Sequence, residues 1–93
     1  MTATREKVVS SKVGLHARPA ALFVKTAAHF SSKITIENLT KGTTSANAKS
    51  ILSILKAAVQ MNDRVRIAAD GDDEEAAVTA LCDLVDNNFG ETE

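Results

Sequence analysis

The chain has 93 residues, a formal net charge of −1 and a sequence pI near 6.1, which make one small domain with no basic field to attract nucleic acid. Hydrophobic residues are 44% of it but aromatics only 3%, with no Trp or Tyr, so a core must be built from Ala, Val, Ile and Leu. A single cysteine, Cys82, excludes an internal disulfide and a cysteine-based metal site, and no apolar run approaches the ~20 residues of a membrane span.

Along the chain, Arg5 to Ser10 (REKVVS) is short and β-prone, and Ser11-Lys12-Val13-Gly14 breaks it. From Ala17 to His29 the small and apolar residues Ala20, Val24, Ala27 and Ala28 recur at helical spacing, with Phe23 beside them. Lys33 to Asn38 alternates strictly, Ile34 and Ile36 against Thr35 and Glu37, as a half-buried strand does. In LTKGTTSAN, Gly42 and its threonines predict a turn and a short third strand near Thr43 to Ala46. Ser50 to Val59 then places Ile51, Ile54, Leu55 and Ala58 on one stripe of a short helix. Asn62-Asp63 marks a turn, and RVRIAAD alternates again up to Gly71. Asp72-Asp73-Glu74-Glu75 brings negative charge to the start of a last helix, where the dipole favours it, and Ala77, Leu81, Leu84 and Val85 form its buried stripe. The tail beyond about residue 89 is expected to be flexible. The order β-α-β-β-α-β-α predicts an α+β, two-layer fold, a mostly antiparallel sheet covered on one face. No repeat, linker or low-complexity stretch divides residues 1–93, which read as a single domain.

The stretch VGLHARPAALFV, residues 13–24, carries the chemistry. One of the two histidines, an arginine and the one proline stand together where an apolar helix begins, a place usually given to Ser, Asp or Asn. Pro19 suits a first helical turn, because the N–H it lacks would have no intrahelical partner. The N–H groups around Ala17 and Arg18 point out of the helix end with its positive dipole, an arrangement that binds phosphate. Arg18 adds a planar fork of donors, and Gly14 allows close backbone approach. His16 can act as a nucleophile near neutral pH, so an imidazole here faces a ready phosphate pocket.

Gly14-Leu15-His16-Ala17-Arg18-Pro19-Ala20 resembles the active-site signature of the HPr family, the histidine-containing phosphocarriers of the bacterial phosphoenolpyruvate:sugar phosphotransferase system. The element order is similar to the HPr-like βαββαβα open-faced sandwich, four strands with three helices on one face, so the resemblance covers nearly the whole chain. It implies that His16 accepts phosphate on Nδ1 from phosphorylated enzyme I and donates it to an enzyme IIA, with Arg18 assisting. Such a protein is a carrier with a phosphohistidine intermediate, not an enzyme, needs no cofactor, and works in the cytoplasm, here expected as a monomer. Asn47-Ala48-Lys49-Ser50-Ile51-Leu52 is similar to the start of the family's second helix, where a serine can be a regulatory site for an HPr kinase/phosphorylase. Ser50 is equally a good N-cap. Leu52 and Leu55, together with Ala20, are candidate partner contacts, since the apolar content of the second helix exceeds one narrow stripe.

Two departures leave the pathway open. The segment between Ile36 and Ser50 is longer than the usual hairpin, and Met61-Asn62-Asp63 stands where a glycine is common, although Asn tolerates the left-handed conformation. A carrier of the nitrogen phosphotransferase system, a carrier serving a dihydroxyacetone kinase, and a regulatory module acting through Ser50 are the alternatives. An RNA-recognition fold shares the element order, but it stacks bases on sheet aromatics, whereas Phe23, Phe30 and Phe89 lie on or beside helices. His29 reads as a helix C-terminal residue, Cys82 as buried and inert, and two histidines offer no convincing metal site. No membrane insertion is expected, and MTATREKVV resembles no signal peptide.

Overall fold

A computed structural model of the chain describes residues 2–10 and 17–87. Its elements are β1 (Thr2–Val8), α1 (Ala17–Ala27), β2 (Lys33–Asn38), β3 (Ala46–Asn47), α2 (Ile51–Lys56), β4 (Arg64–Asp70) and α3 (Glu74–Asp86). The strands form one antiparallel sheet in the order β1-β4-β2-β3. The alternation in β2 and β4 sends Ile34, Ile36, Val65, Ile67 and Ala69 to one face, where they are buried with Phe23, Ile54, Val78, Leu81 and Val85 from the helices. The expected α+β sandwich is therefore the fold.

The other sheet face is open and polar. Glu6, Arg66 and Glu37 are directly cross-strand in the register of β1, β4 and β2. Arg66 bridges both carboxylates, at 3.4 Å from Glu6 and 3.6 Å from Glu37. Edge strand β1 contributes little to the core beyond Ala3. Its other inward positions, Arg5 and Lys7, reach out to α3, where Lys7 Nζ lies 2.8 Å from Asp86 Oδ2 and Arg5 meets Glu75 at 3.3 Å.

Several boundaries differ from the sequence expectation, each for a local reason. β1 runs Thr2–Val8 instead of Arg5–Ser10, because the ladder to β4 begins at Thr2↔Asp70 and Val9 turns its backbone to the 62–63 turn. β3 is only Ala46–Asn47, because Thr43 folds its N–H back to the Asn38 carbonyl at 3.2 Å instead of extending toward Ile36. α1 ends at Ala27, short of His29. α2 stops at Lys56 because Ala58 takes φ +53°, a left-handed conformation no helix continues through. Ala58 is consequently exposed, and Ile54 is the one buried residue of α2. Asn62, where a glycine would be expected, does take φ +75°.

The α1–β2 turn is joined to the start of α3 by one carboxylate. Asp73 accepts from the backbone N–H groups of Ser31 at 2.8 Å and Ser32 at 2.9 Å, and also from the Ser32 hydroxyl. Those bonds, the Ser32 hydroxyl first and then the Ser31 amide, lower its pKa to about 2. Gly71 permits the approach: a Cβ there would lie 2.7 Å from Ser32 Oγ and 2.8 Å from its Cα.

Candidate functional site

The candidate residues fall on the first turn of α1 and on α2, two helices in contact. α1 begins at Ala17, with Arg18 exposed and Pro19 buried behind it. No acidic side chain lies in its first turn, so the positive end of the helix dipole is not offset by a carboxylate on that turn. Ala17 and Arg18 stand where backbone N–H groups point out of the helix end. His16, with Gly14 and Leu15, lies outside the described residues, as do Phe89 and the tail.

The approach to α2 is fixed by short-range bonds. Ala48 N–H donates to the Ile34 carbonyl at 3.0 Å, and Lys49 N–H to the Asn47 side-chain oxygen at 2.9 Å. Lys49 Nζ reaches back to the Phe30 carbonyl at 2.7 Å, tying this turn to the end of α1. Ser50 is the N-cap of α2, its backbone extended at φ −118° and ψ 115°, and its hydroxyl accepts from Ser53 N–H at 3.3 Å. The capping reading of Ser50 is thus what the fold uses, and its hydroxyl is half-buried at the helix start.

Beyond Ser50 the helix presents aliphatic side chains to water. Leu52 is 62% exposed, Ile51 45%, Leu55 43% and Met61, just after the helix, 45%. Ile51 and Leu55, placed on a buried stripe by periodicity, stand outside, because only Ile54 points into the core. Ala20 is the reverse case. It is fully buried, packed with Phe23 in the core, and so offers no side chain to a partner.

The remaining candidates fall away from this face. Cys82 is buried, and burial pushes its thiol pKa up, against reactivity. His29 follows α1, with Nδ1 2.9 Å from the Lys25 carbonyl, so that nitrogen carries the proton. Among the described residues no group of His, Cys, Asp or Glu could hold a metal ion, and no helix is long and apolar enough to cross a membrane.

Sequence reasoning missed one cluster. Asp63, nearly buried, accepts through Oδ2 from Lys41 Nζ at 2.6 Å, Asn38 Nδ2 at 2.9 Å and Gln60 N–H at 3.0 Å. Burial pushes the Asp63 carboxyl up, but these bonds and the lysine charge outweigh it and hold the pKa below the usual value. The only signal was Asn62-Asp63, read as a turn. Nothing in the sequence links that turn to Asn38 or Lys41, which lie far away along the chain.

The structure is that of a small α+β protein with an exposed aliphatic helix, α2, in contact with α1, whose first turn carries Arg18 and no acidic residue. A family model described as "PTS HPr component phosphorylation site" matches residues 3–87. The chain is 41% identical over 86 residues to the phosphocarrier protein HPr of Xylella fastidiosa (strain 9a5c), covering 92% of this chain and 93% of that one. It is 37% identical over 83 residues to a multiphosphoryl transfer protein of Haemophilus influenzae, covering 89% of this chain and 17% of that much longer protein. Its structure superposes on a crystal structure of an HPr from Thermoanaerobacter tengcongensis with a TM-score of 0.90 at 45% identity, covering 98% of this chain and 99% of that one. The chain belongs to the HPr family of the phosphotransferase system, a family of phosphoryl carriers and not of enzymes.

Proposed function

We propose that the chain accepts a phosphoryl group on His16 from phosphorylated enzyme I and passes it to enzyme IIA proteins of a sugar-transporting phosphotransferase system in the cytoplasm, acting as a single domain. The Nδ1 lone pair of His16 attacks the phosphorus carried by enzyme I. The bond to the donor breaks as the new P–N bond forms, and the same exchange in reverse sense delivers the group to the acceptor. Arg18 and the backbone of Ala17 and Arg18 hold the dianion, because a helix start with no acidic residue in its first turn favours it. Ile51, Leu52 and Leu55 meet both partners. Their exposed area is modest, which suits complexes that must separate quickly.

The observation that carries this reading is the match to the phosphorylation-site family over residues 3–87, a span that includes His16 and Arg18. Ser50 is the proposed regulatory position, modified by an HPr kinase/phosphorylase. A phosphate on its hydroxyl would be favoured by the N-terminus of α2 and would place a dianion beside Leu52, inside the docking face.

The test is incubation with phosphoenolpyruvate and a purified enzyme I, followed by mass and acid lability in wild type and His16→Ala. An acid-labile gain of one phosphoryl group that His16→Ala lacks supports the carrier. No gain with several enzymes I, on folded protein, overturns it in favour of a paralogous donor or a module centred on Ser50.

A further inference from the structure

The Asp63 cluster lies at the carbonyl end of α2, and its turn also bonds the backbone of Val9, just after β1. Lys41, in the loop after β2, uses every ammonium proton: Asp63 Oδ2 at 2.6 Å, the Ala58 carbonyl at 2.8 Å and Gln60 Oε1 at 3.2 Å. Asn38 is fully buried and equally spent, its amide protons going to the Ala57 carbonyl at 3.1 Å and Asp63 at 2.9 Å, while its oxygen accepts from Lys41 N–H at 3.2 Å. Ala57 is the C-cap of α2 and Ala58 the left-handed residue just after it, so neither carbonyl has a partner within the helix. Side chains from a different part of the chain therefore cap α2, and they hold Ala58 in its left-handed conformation.

The same turn reaches the strand that leads to His16. Val9 N–H donates to the Asp63 carbonyl at 2.9 Å, and Asn62 N–H donates to the Val9 carbonyl at 2.7 Å. Met61, one of the exposed aliphatic residues, sits between Gln60 and Asn62 inside this loop.

We infer that Asp63, with Lys41 and Asn38, is a positioning group for partner docking: it fixes the carbonyl end of α2, the Met61 loop and Val9 as one unit. Beneath it Val59, Val65 and Ile54 belong to the buried apolar core. Loss of the clasp should loosen where Leu55 and Met61 stand without melting the sheet. The kinetic part of the test rests on the carrier reading, whereas hydrogen exchange does not.

Asp63→Asn keeps the shape and removes the charge, Lys41→Met removes the cap, and Lys41→Arg is the conservative control. In Asp63→Asn and Lys41→Met, amide exchange should quicken by roughly tenfold or more at Val9, Ala57 and Asn62 while Ile36 and Ile67 keep their protection. The KM for the protein as substrate of enzyme I should rise by about fivefold, equivalent to 1 kcal/mol, with kcat little changed, and Lys41→Arg should restore most of it. Uniformly faster exchange over the whole sheet would mean a merely structural role and overturn the inference, as would an unchanged KM despite local loosening. A wild-type chain that takes no phosphoryl group from enzyme I overturns the carrier reading instead, and the exchange pattern alone then decides whether the clasp acts as a unit.

Discussion

Truncating Leu52 to alanine should weaken docking and spare the fold, while truncating Ile54, on the same short helix, should do the reverse. Leu52 keeps 62% of its surface in water and Ile54 none. Complete burial of a leucine side chain is worth about 1.5–3 kcal/mol, so covering the 62% that Leu52 exposes is worth about 1–2 kcal/mol. With each 1.4 kcal/mol a factor of ten, Leu52→Ala should raise KM for enzyme I by roughly 5- to 30-fold. Its own stability should change by about 0.5 kcal/mol or less, as for surface substitutions generally. Ile54→Ala leaves a cavity under α2 and should cost about 2–4 kcal/mol of stability. A small domain with about 5–15 kcal/mol to lose stays folded after that.

The assay is the initial rate of phosphoryl transfer from enzyme I as a function of carrier concentration, paired with urea unfolding of each variant. A KM for Leu52→Ala within a factor of about two of wild type would refute the docking face, since even the low end of the estimate exceeds it. An unfolding midpoint for Leu52→Ala as low as that of Ile54→Ala would refute the division of the helix into an outer and an inner side.

Three further outcomes test the frame that holds this face. The Asp73 carboxyl is held to about 2 by the Ser32 hydroxyl and the Ser31 amide, below its ordinary 3.8, so its contribution is present above about pH 4 and is lost as pH falls toward 2. Asp73→Asn should flatten that part of the stability curve in urea titrations between pH 5 and 2, and an unaltered slope would refute the assignment. Ala58→Gly relieves the left-handed strain at φ +53° and should stabilise by about 1 kcal/mol, read as a higher thermal midpoint; a lower one would show that no strain is stored there. Gly71→Ala drives a methyl to 2.7 Å from Ser32 Oγ and should destabilise by about 1–3 kcal/mol in urea, with an unchanged midpoint counting against the close approach.

What the sequence made legible was local in origin. Lys33–Asn38 alternates so regularly that its strand emerges with the expected bounds, and the acidic run before Ala76 does begin α3. Ser50 as a cap follows from the residue type alone. The errors have a common cause, which is that long-range bonds end or extend elements that propensity cannot. β1 begins earlier because β4 supplies partners, and α2 stops early because Ala58 turns left-handed under Lys41. Ala20 looked available because small residues carry no sign of which way they face, and packing against Phe23 decided it. Asn38 and Lys41 gave no signal, and Asp63 showed only as part of a turn, since their pairing is a product of the fold.

The way α2 is held explains how a carrier keeps an apolar face in water. A helix of six residues is too short to persist alone, and the usual remedy is to bury one side of it. Here Ile54 alone is buried, which leaves the rest of the helix to be held in other ways. The ends supply the rest. Ser50 and the Asn47 turn fix the first turn, and Asn38 and Lys41 take the last carbonyls, with Lys49 tying the whole to the end of α1. Polar bonds at the termini add to the burial of Ile54, while Ile51, Leu52 and Leu55 stay exposed, as the proposed docking role requires. A longer, better-packed helix would be more stable and would have less surface to offer.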